Sequence, residues 1–186
     1  MAQYDFSQLD FSRIAVIGCP GSGKTTFTNK LGAILQRDVY HLDKLLWKPN
    51  WEMLPYDERK EIHDGIIFQQ SWVVDGMWRS HVADRYKRAT LVIFLDFKRR
   101  VCMSRAVYRR IKYAGKQRAD IADGCLEKLD GYFLKTIWTF NKKVRPEILQ
   151  LQSQNAETAH TVTLCNPKQA EEFLQQLQIF AHSQNE

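Results

Sequence analysis

The run Gly18-Cys19-Pro20-Gly21-Ser22-Gly23-Lys24-Thr25 keeps the spacing GxxxxGK[ST] without a deviation. That spacing suits one kind of chemistry. Its glycines let successive backbone N–H groups wrap a phosphate, and a helix opening at the lysine turns its positive end onto the same oxygens. Lys24 is placed to bridge the β- and γ-phosphates of a nucleotide, and the Thr25 hydroxyl to ligate Mg²⁺. Thr26 continues the cradle, and Cys19 occupies a variable position that reads as packing.

The second concentration of chemistry is cationic. The formal net charge is +6, from 27 Lys and Arg against 21 Asp and Glu. Nine of the basic residues fall between Lys98 and Arg118, a stretch with no acidic residue, and the rest of the chain holds 18 basic against 21 acidic. One cationic element on a mildly acidic protein fits a site for clustered anionic oxygens better than a generally basic surface. Arg105, Arg109, Lys112 and Lys116 recur at helical intervals and share one face, with Cys102, Met103, Ala106 and Val107 opposite. Such a stripe can neutralise charge on a transferred phosphoryl group, which is most of what phosphoryl transfer asks of a protein. Two other readings of the stripe are a nucleic-acid grip and a solvated basic face.

Around these residues the elements alternate. Arg13–Ile17, Val39–Leu42, Trp72–Val74, Leu91–Leu95 and Thr161–Leu164 read as strands. The 91–95 run is uniformly apolar, as a strand buried on both faces would be. Phe27, Leu31, Ile34 and Leu35 fall at helical spacing, and helices are expected over 56–70, near 98–113, over 123–152 with a break near Pro146, and over 168–181. Alternation of this kind predicts an α/β fold with a mostly parallel sheet, its ligand-binding loops at the carboxyl ends of the strands.

Several stretches resemble the nucleoside-monophosphate kinases, adenylate kinase in particular. Asp75-Gly76-Met77-Trp78-Arg79 stands where that family carries Asp-Gly-Phe-Pro-Arg, with Trp78 in place of the proline. Leu95-Asp96 resembles the family's Phe-Asp pair, Arg105 and Arg109 keep the spacing of two phosphoryl-holding arginines, and Asn166-Pro167 resembles the loop that packs against adenine. The chain is still more similar to a bacterial family of small P-loop proteins called DNA topology modulation proteins. That likeness is carried by His41-Leu42-Asp43-Lys44-Leu45-Leu46-Trp47-Lys48-Pro49-Asn50-Trp51, by 72–76 and by Gly115-Lys116-Gln117-Arg118-Ala119-Asp120. The resemblance implies a three-layer αβα sandwich with a five-stranded parallel sheet in the order 2-3-1-4-5. It further implies ATP and Mg²⁺ as cofactors, an acceptor-binding segment near 43–70 and a short lid near 113–125.

On that footing Lys24, Arg105 and Arg109 are expected to stabilise the moving phosphoryl group, while Thr25 and Asp75 organise Mg²⁺, Asp96 being the competing carboxylate. Gly18 to Thr26, Asn166 and Pro167 are expected to hold the nucleotide. Asp43, Arg79, Trp47 and Arg118 are expected to address the acceptor. Two acceptors compete. A nucleoside monophosphate needs no base and suits Arg79, whereas a hydroxyl-bearing metabolite suits Asp43 as the proton acceptor. Asp43 has a plainer reading as the cap of a helix starting at Lys44. Trp47, Trp51 and Trp78 suit either stacking on a planar acceptor or simple packing.

What the sequence excludes is also informative. No NKxD motif for guanine is present, the five histidines and four cysteines form no metal-ligand spacing, and no apolar run approaches the ~20 residues of a membrane span. The expectation is a single domain over 1–186, a cytoplasmic phosphotransferase with reduced thiols, and a nucleotide-regulated DNA-binding protein as the rival reading.

Overall fold

The computed structural model describes residues 4–114, 116, 121–125 and 129–184. Five parallel strands form the sheet: β1 (Arg13–Gly18), β2 (Val39–His41), and, beyond a short β3–β4 hairpin (Trp47–Lys48 and Glu52–Met53), β5 (Trp72–Asp75), β6 (Leu91–Leu95) and β7 (His160–Leu164). Their spatial order is β2-β5-β1-β6-β7. Counted over the sheet strands alone this is the expected 2-3-1-4-5; the antiparallel hairpin between β2 and β5 was not foreseen. Helices α1 (Lys24–Leu35), α2 (Leu42–Leu45), α3 (Tyr56–Ile67), α4 (Val82–Arg88), α5 (Arg99–Lys112), α6 (Gly131–Lys143), α7 (Arg145–Gln154) and α8 (Pro167–Ser183) complete the chain. They cover both faces of the sheet, with α1 against α8 and α4 against α7.

The strands form where they do because burial on both faces demands unbroken apolar runs. Ile14–Ile17 and Leu91–Leu95 are at most 1% exposed. The register sets the carboxyl ends side by side: Val16 pairs with Asp75, His41 with Asp75, and Gly18 with Leu95. Every polar residue that follows a strand is thereby delivered to one edge.

Several local expectations are corrected. Leu42 leaves β2 and opens α2, so Asp43 lies inside the first turn of that helix and His41 holds the capping position. Asp43 is therefore not a cap. Helix α3 stops at Ile67, short of Gln70, and the predicted 123–152 helix becomes α6 and α7 with the break at Val144. Pro146 opens the second helix, where its missing N–H costs nothing. Val107 is 40% exposed instead of joining the apolar seam of α5, where Cys102 and Ala106 are buried and Met103 packs against the core. Helix α4 was missed, although Val82, Arg85, Tyr86 and Ala89 stand at i, i+3, i+4 and i+7. Among the described residues no helix is long and apolar enough to cross a membrane.

Candidate active site

A cavity of about 660 Å³ opens at the carboxyl edge of the sheet. It is lined by Pro20 to Phe27 of the phosphate loop and α1, by Arg105 and Arg109 of α5, by Asp43, Trp47, Trp51 and Ile121, and by Tyr132, Phe133, Pro167 and Leu174. Asp75, Gly76, Leu95 and Phe97 line it from the strand ends.

The phosphate loop is held from within and from α5. Lys24 Nζ donates to the carbonyls of Gly18 and Cys19 at 3.1 and 3.2 Å. Arg105 Nη1 donates to the Ser22 carbonyl at 3.0 Å, so the guanidinium lies across the loop, and a Cβ built on Gly23 would stand 3.0 Å from it. Gly21, at φ +82°, brings the loop so near α5 that a Cβ there would lie 2.3 Å from the Cys102 carbonyl oxygen. The thiols of Cys19 and Cys102 are buried and interact with one another, and the Cys102 thiol donates to the Phe97 carbonyl at 3.8 Å. Cys19 is pushed up by the interaction with Cys102 and by burial, while the interaction with Cys19 lowers Cys102. Cys19 is 2% exposed and packs under the loop.

The two candidate carboxylates for a metal are separated by geometry. Asp75 lines the cavity, is 2% exposed, and receives His41 Nδ1 at 2.9 Å on Oδ1, while Oδ2 is buried without a partner among the described residues. Asp96 does not line the cavity: Arg145 Nε reaches both its oxygens at 2.8 and 3.0 Å. An orphaned carboxylate oxygen on Asp75, in a cavity that Thr25 also lines, supplies the kind of oxygen donor that a hard divalent cation takes. Sequence reasoning left His41 without a role. Its second nitrogen lies 2.9 Å from Asn29 Oδ1 on α1, so the imidazole ties Asp75 to the helix that carries Lys24.

The expected site residues divide. Pro20 to Thr26, Arg105, Arg109, Asp43, Trp47, Asp75 and Pro167 meet in one cavity. Arg79 does not join them: its guanidinium is paired with Glu147 on α7 and donates to the Lys143 carbonyl, half exposed, away from the cavity. Asn166 caps α8 by accepting from the Gln169 N–H at 3.0 Å, leaving Pro167 as the cavity-facing member of that pair. Gly18 and Cys19 support the loop from behind. Trp78 stacks on His81 at 3.9 Å and packs with Tyr56 and His63 outside the cavity. Lys112 does not line the cavity, and its Nζ lies 5.5 Å from the Tyr113 ring centroid. Arg118 and, with it, residues 115 and 117–120 of the expected lid lie outside the described residues.

The hairpin that carries Trp47 and Trp51 is fastened to the segment at 121–125. The Asn50 N–H donates to the Gly124 carbonyl at 3.2 Å, and the Cys125 thiol donates to the Lys48 carbonyl at 3.2 Å. Ile121, Ala122 and Cys125 form a small apolar cluster against the two indoles, which meet edge to face at 5.6 Å.

No family model matches the sequence, and no curated protein matches it. Solved structures do. The chain is similar to a shikimate kinase from Acinetobacter baumannii in complex with shikimate, with a TM-score of 0.52 and 18% identity over 96% of each chain. It is similar to a gluconokinase from Sinorhizobium meliloti 1021, with a TM-score of 0.51 and 16% identity over 96% of this chain and 98% of that one. A shikimate kinase from Bacteroides thetaiotaomicron gives 0.51 and 16% over 92% and 98%. At such identities the likeness is one of fold: this chain shares the α/β fold of those solved structures.

Proposed function

We propose that the protein is a small-molecule kinase that moves the γ-phosphoryl group of ATP onto a hydroxyl of an acceptor seated beside Asp43, Trp47 and Trp51. The observation that carries this reading is the company Asp43 keeps. It shares one cavity with Lys24, Arg105 and Arg109, whereas Arg79, the arginine expected for a phosphate acceptor, is spent on Glu147 outside it. The similar solved structures are named for kinases of shikimate and gluconate, acceptors that bear hydroxyls.

The chemistry divides among the residues as follows. The loop amides and Lys24 hold the β- and γ-phosphates, and Arg105 and Arg109 neutralise the charge that spreads over the γ-oxygens. Asp43 accepts the hydroxyl proton as the new O–P bond forms and the bond to the departing ADP breaks. Thr25 and Asp75 would hold Mg²⁺, which supplies further neutralisation of the phosphates. His41 fixes the carboxylate rotamer of Asp75 through the 2.9 Å contact.

The test is ADP release from Mg-ATP against a panel of hydroxyl metabolites, nucleosides and nucleoside monophosphates, for the parent and Asp43→Asn. The expected result is acceleration by a hydroxyl acceptor and a fall in kcat of about 10²–10⁴-fold in the variant, with ATP affinity retained. Acceleration by a nucleoside monophosphate that Asp43→Asn leaves intact returns the acceptor to the adenylate-kinase class. No acceptor at all, with salt-sensitive DNA binding, favours a nucleotide-gated nucleic-acid protein.

A further inference from the structure

A buried arginine lies directly behind the proposed acceptor site. Arg85, on α4, is 1% exposed. One of its amino groups, Nη2, donates to the Gly76 carbonyl at 3.2 Å, and the other, Nη1, is buried without a partner among the described residues. A guanidinium in such a place is costly unless anions answer it. The anions are Asp75 on β5, Asp43 on α2 and Asp84 on its own helix, whose charges oppose the effect of burial on it. Burial still wins, and Arg85 is lowered to about 10, well above neutral pH, so its charge is present. The imidazoles of His63 on α3 and of His81 both feel the arginine as a repelling charge.

The contacts that run forward from Arg85 reach both working carboxylates. Gly76 follows Asp75 directly and adopts φ +121°, and a Cβ on it would stand 2.8 Å from Leu42 Cβ. The turn held by Arg85 therefore abuts the first residue of α2, and Asp43 is the next residue along. Helix α2 is only four residues long and has no side-chain cap. With few hydrogen bonds of its own, it takes its position from what it packs against.

We propose that Arg85 is a positioning residue for the reaction: by anchoring the Gly76 carbonyl and countering the charges of Asp43 and Asp75, it sets the two carboxylates at their stations. The assignment rests on the kinase reading for its catalytic consequence, but not for its structural one. A solvent-facing arginine at this position would do neither. The sequence carries a signal for it, since Arg85 interrupts the apolar stripe Val82, Tyr86, Ala89 at a position that helical spacing turns inward.

The experiment compares Arg85→Met and Arg85→Lys with the parent, by steady-state kinetics and by amide hydrogen exchange. In Arg85→Met, kcat falls about 10²-fold with the KM for ATP unchanged, the scale expected of catalytic groups misplaced by about 1 Å. The amides of Asp75 to Met77, and that of Leu46, which donates to Leu42, exchange about tenfold faster, while those of Ile14–Ile17 and Leu91–Leu95 keep their protection. Arg85→Lys, which restores a cation and a donor, recovers most of kcat. A folded Arg85→Met protein whose turn and α2 amides exchange as in the parent overturns the assignment, and does so even if no acceptor is ever found. Altered exchange together with no phosphotransfer in the parent would instead strike at the kinase reading alone. Should Arg85→Met fail to fold, Arg85→Lys decides: faster exchange confined to the turn and α2 supports positioning, and a uniform rise across all strands overturns it.

Discussion

The contact between the phosphate loop and α5 makes Gly21→Ala a demanding substitution. The alanine Cβ would stand 2.3 Å from the Cys102 carbonyl oxygen, about 1.1 Å short of the 3.4 Å of ordinary contact, and its neighbour is backbone that cannot rotate aside. The residue also sits at φ +82°, which costs an L-amino acid about 1–2 kcal/mol. Overpacking of this kind adds about 1–3 kcal/mol, for a total near 2–5 kcal/mol. For a chain of this size that corresponds to a melting temperature lower by roughly 4–20 °C. To relieve the clash, α5 must withdraw by about the missing 1.1 Å. Arg105 is on that helix, and its 3.0 Å bond to the Ser22 carbonyl would stretch beyond hydrogen-bonding range. A displacement of that size at a phosphoryl-holding group is worth about 10²-fold in turnover. The assay is Mg-ATP turnover with the best acceptor beside calorimetric melting. A variant that melts and turns over like the parent refutes the argument; one that melts lower with full turnover refutes the part that couples Arg105 to the loop.

Two further outcomes follow from the charged groups. Arg79→Met leaves turnover within about twofold and lowers stability by no more than about 1 kcal/mol, because its ion pair with Glu147 is half exposed on both sides; a large rise in acceptor KM would restore Arg79 to the site. Stability falls as pH drops from 6.5 toward 4. Burial lowers His63 to about 4, so over that window the unfolded chain binds a proton that the folded one refuses, and burial lowers His81 in the same direction. Melting followed across that range gives a slope that His63→Asn flattens, and an unaltered slope in that variant removes His63 as its source.

Much of this protein was legible along the chain. The glycines, lysine and threonine of the phosphate loop announce themselves because the chemistry needs consecutive backbone amides, and consecutive atoms are what a sequence displays. The sheet was legible for a related reason: runs such as Leu91–Leu95 are apolar throughout, and only burial on both faces rewards that. The pairing of Arg105 with Arg109 in one cavity follows from a helical interval alone.

The division of labour among the polar residues was not legible in that way. Asp75 ends β5 and Asp96 follows β6, on either side of β1, with the same side chain, and what distinguishes them is Arg145, 49 residues beyond Asp96, arriving from α7. Arg79 had the motif of an acceptor ligand but meets Glu147, 68 residues away. Arg85 was hidden because a charge in an apolar stripe reads as noise until its partners, Asp43 and Asp75, are brought to it from two other elements. The sequence by itself determined the phosphate loop, the parallel sheet and the edge at which chemistry would gather, since each rests on local spacing. Only the tertiary structure decided which carboxylate stays open, which arginine is spent and which is buried behind the site. Coulomb energy and hydrogen bonding depend on distance through space, and residues far apart in the chain supply the partner in every case.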